Sequence, residues 1–420
     1  MGANEKPASM KVLHIATMDH GGAGIAARRI HEALLRLSVE SRMLVRFKSS
    51  DDDTITAAQP NMGLYQPSSL SVVRKAEQIL RRRGRCLTQV ERYERQLNVL
   101  DRVYGAAYTL PVSNFDLSQH PLVQQADILH LHWVENFLDY QTFFDRINKP
   151  IVWTFHDENI AYGGFHYSDE AVRLKEPFAA MEDDFVKIKK EALADGRHNI
   201  HMVALSGMME QFYRQHSLFP SYPVNIIHNG LEPEQFAILD RSFCREALNI
   251  PQDKTVISFC ATDINDTHKG LKPLLQSLAN ITSKHNILLL CVGKGTLPTC
   301  DFPVIGTGPI ANPRLLSIAY SASDLFVLPS FQEAFAQTPL EAMACGCPVV
   351  AFPCSGTEEL INGQNGIRCD GFTTEFLSVG INNALNQFYN RQAIRDDAVK
   401  RFNIDRIAKQ YIDLYSRCIQ

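Results

Sequence analysis

Short, unbroken apolar runs recur along the chain, separated by longer stretches of mixed character. "KVLHIAT" (residues 11–17), "SRMLVRF" (41–47), "DILHLHW" (127–133), "PIVWTFH" (150–156) and "HMVALS" (201–206) form one series. "TVISFCA" (255–261), "NILLLCVG" (286–293), "DLFVLP" (324–329) and "PVVAF" (348–352) form a second. These runs are apolar at nearly every position instead of at alternate ones. That pattern predicts strands covered on both faces, and so parallel sheets with helices packed between them. The series pauses at "IIHNGLEPEQF" (226–236), where Asn-Gly and Pro mark a turn. Two doubly wound α/β domains facing a cleft are expected, with ligands beyond the carboxyl ends of the strands.

One segment breaks the rhythm. "SVVRKAEQILRRRGRCLTQVERYERQL" (71–97) is helical by composition and strongly basic. A solvated helix is the plain reading. Contact with anionic lipid headgroups or a phosphorylated acceptor is the functional one.

Composition narrows the classes. The chain has 420 residues, too many for one ordinary domain, and 45% hydrophobic with 21% charged residues is the balance of a soluble globular protein. A net charge of −4 argues against nucleic acid as a partner. No apolar run approaches the length needed to cross a bilayer. The opening "MGANEKPASMK" lacks the apolar core of a signal peptide, and Lys6 stands where a myristoylation site needs Ser or Thr. The ten cysteines follow no repeated spacing, which predicts a reducing cytoplasm and no disulfide framework. Cys345 and Cys347 are read as small buried residues, not metal ligands.

Between two buried strands lies "SFQEAFAQTPLEAMACGC", with one glutamate at 333 and another at 341. "TPLE" reads as a capping box, with Thr338 at the N-cap, Pro339 at the first helical position and Glu341 three residues after the cap. Gly346 then ends the helix. Glu341 thus has a structural explanation. Glu333, in the loop at a strand end, has none.

Two glutamates with seven residues between them, followed by "AMACGCPVVAF", resemble the signature of retaining GT-B glycosyltransferases of family four. "GGAG", "HLHW", "TFHD", "HNG", "HKG" and "GTEELINGQNG" extend the resemblance over most of the chain. "TFHDENIAYGGFHYS" is similar to a branch that acts in bacterial surface-polysaccharide assembly, and "IAKQYIDLYS" to the helix that crosses back to the first domain in that fold. The resemblance implies an acceptor domain over 10–228 completed by 404–420, and a nucleotide-sugar donor domain over 235–400. It implies a retaining, metal-independent hexosyltransferase of the cytoplasm, peripheral on the inner membrane face if 71–97 binds lipid. The partners would be a nucleotide-diphosphate sugar and a saccharide or lipid-linked acceptor, with no cofactor.

By the same resemblance, Glu333 holds the donor sugar's hydroxyls and Glu341 the ribose hydroxyls. A carboxylate suits both tasks because it only accepts hydrogen bonds. The backbone amides of Phe335, Ala336 and Gln337 would point at the donor. Growing charge on the leaving diphosphate needs a cation and a helix start, supplied by Lys269 in "THKGLKPLL" and by the helix opening at Thr338. Many relatives carry an arginine five residues before that lysine, where this chain has Ile264. Thr307 and Ile310, in "VIGTGPI", are the nucleobase candidates, with uridine and guanosine both open.

In the first domain, "GAGIAA" from Gly22 through Ala23 and Gly24 fits the dinucleotide fingerprint, but the second strand is followed by Lys48 where the fingerprint expects an acidic residue. It is read as a close backbone approach to donor phosphate or acceptor, with a dehydrogenase as the lesser reading. "DDDT" (51–54) is read as a solvated acidic loop, not a metal site. His156 would hydrogen-bond the donor sugar and Asp157 would orient the imidazole or the acceptor. His130 and His132 are expected to line the core or the cleft. The alternatives kept open are a GT-B epimerase or phosphorylase, and a non-catalytic nucleotide-sugar-binding subunit.

Overall fold

The computed structural model describes residues 10–60, 88–193, 196–281 and 286–419. Its described residues divide into two compact units. One takes the chain up to Ala204 with Glu210–Asn225 and everything from Tyr411. The other takes Leu205–Met209 and Ile226–Gln410.

The first unit holds a seven-stranded sheet in the order β3-β2-β1-β4-β5-β6-β7. Its strands are β1 Lys11–Met18, β2 Glu40–Phe47, β3 Ile55–Ala57, β4 Ile128–Leu131, β5 Ile151–Thr154, β6 Ile200–Ala204 and β7 Val224–Ile226. The pairings from β3 through β6 are parallel. The chain winds one way from β1 to β3 and the other way from β4, so the topology switches between β1 and β4.

The second unit holds six strands in the order β10-β9-β8-β11-β12-β13, all pairings parallel. These are β8 Thr255–Asp263, β9 Ile287–Lys294, β10 Val304–Gly308, β11 Leu325–Leu328, β12 Val349–Ala351 and β13 Gly366–Arg368. The switch here lies between β8 and β11. Both faces are buried: Ile257, Phe259, Leu289 and Cys291 pack on one side, Val256, Leu288, Leu290 and Val292 on the other. This two-sided cover is why the runs read as continuously apolar.

The last helix, Ile404–Ile419, buries Ile404, Ile407, Ala408, Tyr411, Leu414, Tyr415 and Cys418 at helical spacing. Its residues through Gln410 belong with the second unit and those from Tyr411 with the first.

Of the basic segment 71–97, residues 71–87 lie outside the described residues. From Gln89 the chain is helical to Tyr104, opened by a capping box between Thr88 and Glu91 and closed by Gly105 at φ +59°. Val90, Tyr93, Leu97 and Leu100 on this helix pack against the cluster that includes Phe178 and Phe185, so part of its apolar surface is already covered. No helix among the described residues is long and apolar enough to cross a membrane.

Candidate active site

Each unit brings chemistry-bearing side chains to the carboxyl ends of strands at its switch point. In the second unit, β8 ends at Asp263 and the chain turns through the short 3₁₀ helix Thr267–Lys269, capped by Asp266 through the amide of His268 at 2.9 Å. Gly270 follows at φ +75°. A Cβ there would lie 1.9 Å from the Pro329 carbonyl oxygen, so only glycine lets this turn press against the end of β11. The amide of Phe331 donates to the His268 carbonyl at 2.9 Å and ties the two loops together.

The consequence is that Lys269 meets Glu333. Lys269 Nζ lies 2.7 Å from Glu333 Oε1, with both side chains partly exposed. Lys269 therefore stands at the end of the 3₁₀ turn, one residue ahead of Gly270, and does not itself begin the helix Leu271–Ala279.

The loop carrying Glu333 is clamped from outside. Ser355 Oγ donates to the Ala334 carbonyl at 3.1 Å, and Asn229 Nδ2 donates to the Phe335 carbonyl at 2.9 Å. The His228 ring stacks on Phe335 with centroids 5.0 Å apart. Asn229 Oδ1, Ser330 Oγ and Gln332 Oε1 are buried there without hydrogen-bond partners.

The capping-box reading does not hold. The helix runs Gln337–Ala344, its N-cap is Ala336, and no side chain caps it. Thr338 is the second helical residue and Pro339 the third, a place proline tolerates because the first turn's amides have no intrahelical acceptor. Glu341 lies deeper in the helix, 6% exposed, and accepts from Tyr320 Oη at 3.3 Å. The structural explanation for Glu341 falls away. At the other end the prediction holds: Gly346, at φ +70°, donates to Met343 and Cys347 donates to Ala342, a Schellman closure.

Ile264, at the position where the resemblance leads one to expect an arginine, is 1% exposed in the core. It packs over Gly293 and Gly295, where a Cβ would lie 3.0 and 2.6 Å from its side chain. Thr307 Oγ1 donates to the Gly308 carbonyl at 2.8 Å, and the Ile310 side chain packs on the core. Their side chains are occupied, which leaves backbone groups for any base contact.

In the first unit, the switch point gathers histidines. His14 on β1 is in register with His130 on β4, so the two share a face. His14 Nδ1 lies 3.0 Å from His132 Nε2, and His132 Nδ1 lies 3.2 Å from His156 Nε2. His130 pairs with Tyr415 Oη at 2.6 Å and with Thr154 Oγ1 at 2.8 Å. Burial holds all four rings below the ordinary imidazole range, His156 at about 4. Nitrogens of His14, His130 and His132 lie close enough together to ligate an ion. Yet both nitrogens of His130 and of His132 already have hydrogen-bond partners, which marks a ladder more than a ligand set.

Asp157 does not orient His156. Its Oδ2 accepts from Trp133 Nε1 at 2.8 Å and pairs with His166 Nδ1 at 2.6 Å. The Asp157 carboxylate raises the pKa of His166 against the effect of burial. The Gly22–Ala23–Gly24 stretch is the first turn of the helix Gly21–Arg36. A Cβ on Gly24 would lie 2.5 Å from the Met18 carbonyl oxygen, so this glycine serves helix-to-strand packing. The acidic loop is built locally: Asp52 accepts from the amide of Thr54 at 2.7 Å.

Sequence reasoning missed Glu135, Lys189 and His166, and assigned no role to His228 and Asn229. Lys189 had a signal. It sits in phase with buried Phe178, Met181 and Phe185 on the helix Lys175–Ala192, where a lysine is out of place unless paired.

Residues 254–387 match the family model for glycosyl transferases group 1. An uncharacterized glycosyltransferase of Methanocaldococcus jannaschii is 25% identical over 315 residues, spanning 70% of this chain and 76% of that protein. The N-acetyl-alpha-D-glucosaminyl L-malate synthase of Bacillus anthracis is 23% identical over 350 residues, 75% of this chain and 85% of that protein. Among solved structures, Anabaena HepE in complex with UDP and glucose superposes with a TM-score of 0.65 at 16% identity, covering 97% of this chain and all (100%) of that one. The fold is GT-B.

Proposed function

We propose that this chain, a member of the retaining group 1 glycosyltransferases that takes its sugar from a nucleotide-sugar donor, moves a hexose to a saccharide or lipid-linked acceptor in polysaccharide or glycoconjugate assembly. The observation that carries the reading is the meeting of Lys269 and Glu333 at the switch point of the second sheet. A cation and an acceptor-only group side by side suit a ligand that is anionic at one end and rich in hydroxyls at the other.

Lys269 takes the diphosphate, and with Ile264 in the core the leaving-group charge rests on Lys269 and the start of the helix Gln337–Ala344. Glu333 holds the sugar's hydroxyls, and Glu341, freed of any capping task, holds the ribose. The amides of Phe335, Ala336 and Gln337 complete the donor side, and backbone groups at Thr307 and Ile310 face the base. His156, neutral at pH 7, offers its imidazole or its carbonyl to the sugar as positive charge develops at the anomeric carbon. The acceptor oxygen bonds to that carbon on the face from which the diphosphate leaves. The departing phosphate oxygen takes the acceptor's proton, so configuration is retained. The amides at Gly22–Gly24 belong to the same proposal as a phosphate or acceptor contact, and residues 71–97 as the contact with an anionic membrane.

The test is protection against heat by a panel of nucleoside diphosphates, followed by donor consumption with the matching nucleotide sugar. Stabilisation by one base, with consumption of its sugar nucleotide, is expected. No stabilisation by any member of the panel would overturn the reading.

A further inference from the structure

Glu135 lines a small pocket in the first unit and is 6% exposed. Its Oε2 has no hydrogen-bond partner. A buried acceptor left unpaired is costly, which makes this oxygen a candidate contact for a donor. The pocket also presents Lys189, Trp133, His156 and Asp157, and its free space takes roughly one water-sized group.

Three properties define what fits. Two acidic groups, Glu135 and Asp157, lie with two basic ones, Lys189 and His166, so neither type is in excess around the pocket. Lys189 has no spare donor. Its three protons are matched by Asn159 Oδ1 at 2.6 Å, the Tyr162 carbonyl at 2.9 Å and the Asn159 carbonyl at 3.3 Å. Burial and the nearby Asp157 raise the Glu135 pKa, and a hydroxyl suits either form because it can donate to the carboxylate or accept from the acid. Trp133, also lining the pocket, is half-buried and fixed by Asp157 through Nε1 and by His166, whose ring centroid is 5.4 Å away. A held indole face is a platform for the apolar side of a sugar ring.

We infer that this pocket takes one hydroxyl of an acceptor pyranose, with Glu135 Oε2 as its partner and Trp133 under the ring. The inference rests on the transferase reading, since His156 lines the same pocket and is the residue given to the reacting sugar.

Saturation-transfer NMR with the full chain, methyl α-glucoside, methyl α-galactoside, methyl α-mannoside and their monodeoxy analogues tests it. At least one glycoside should bind, and one deoxy analogue should bind tenfold more weakly or worse. In Glu135→Gln the gap between parent and analogue should shrink to less than threefold, the signature of a direct pairing. If that variant fails to fold, Trp133→Phe should weaken every glycoside at least fivefold. No binding, or binding indifferent to every single hydroxyl, would mean the pocket holds only water and would overturn the inference. Nucleoside-diphosphate stabilisation measured on the same sample separates the two failures: if it persists, only the pocket assignment falls.

Discussion

Lys269 Nζ and Glu333 Oε1 lie 2.7 Å apart although 64 residues separate them in the chain. The pair exists because Gly270 allows the turn after β8 to touch the end of β11. Replacing either residue by Ala should lower turnover by about a hundredfold or more, the range for removing one group that meets developing charge. The double variant should lose less than the two single losses summed, because each residue is the other's partner. Release of nucleoside diphosphate from the sugar nucleotide measures this. Unchanged turnover in Glu333→Ala would remove that residue from the mechanism.

Acid should unfold the first unit early. Burial lowers the pKa of His31 and His156 from 6.5 to about 4, and pushes His14, His130 and His132 well below their ordinary value. The unfolded chain therefore binds more protons than the folded one as pH drops below 6.5. Stability present above that value is lost on the way down, until the folded rings fill near pH 4 and beyond. His31 and His156 would each contribute about 3 kcal/mol in the limit. The urea midpoint should fall steeply between pH 6.5 and 5; a flat profile would contradict the neutral ladder.

Glycines separate packing from ligand contact. Gly270→Ala should be severely destabilising, since its Cβ would strike the Pro329 carbonyl at a positive φ. Gly24→Ala should cost several kcal/mol through the Met18 carbonyl. Gly22, with nothing within 4 Å of a would-be Cβ, should accept Ala with equal or higher stability. Thermal melts of the three variants check the order.

If Lys269 and the helix start meet the diphosphate charge as proposed, turnover should persist in excess chelator. Complete loss restored by magnesium would instead assign that charge to an ion.

Nine strands were legible in the sequence, and the four that were not are the sheet edges. β3, β7, β10 and β13 end the two strand orders, and β3, β7 and β13 have three residues each. An edge strand is half covered, so it leaves no continuous apolar run to read. Glu333 and Lys269 could be placed at strand ends from the sequence, and the structure brings them together there. The start of the helix at Gln337 was not. Thr338, Pro339 and Glu341 imitate a cap, while the clamps that set the true boundary, Asn229 and Ser355, come from distant parts of the chain. Asp157 misled for a similar reason: its neighbour in sequence is His156, but its partner in space is His166. Glu135 carried no spacing at all, and only its unpaired oxygen singles it out.

The helix Ile404–Ile419 has a bearing on how the protein is made. Tyr411 and Tyr415 supply hydroxyls to Thr154 and His130, inside a unit whose other strands leave the ribosome some two hundred residues earlier. Until Tyr415 is synthesised, the nascent first half lacks the partner of His130 Nδ1. Its final closure must therefore wait for the second half to be translated.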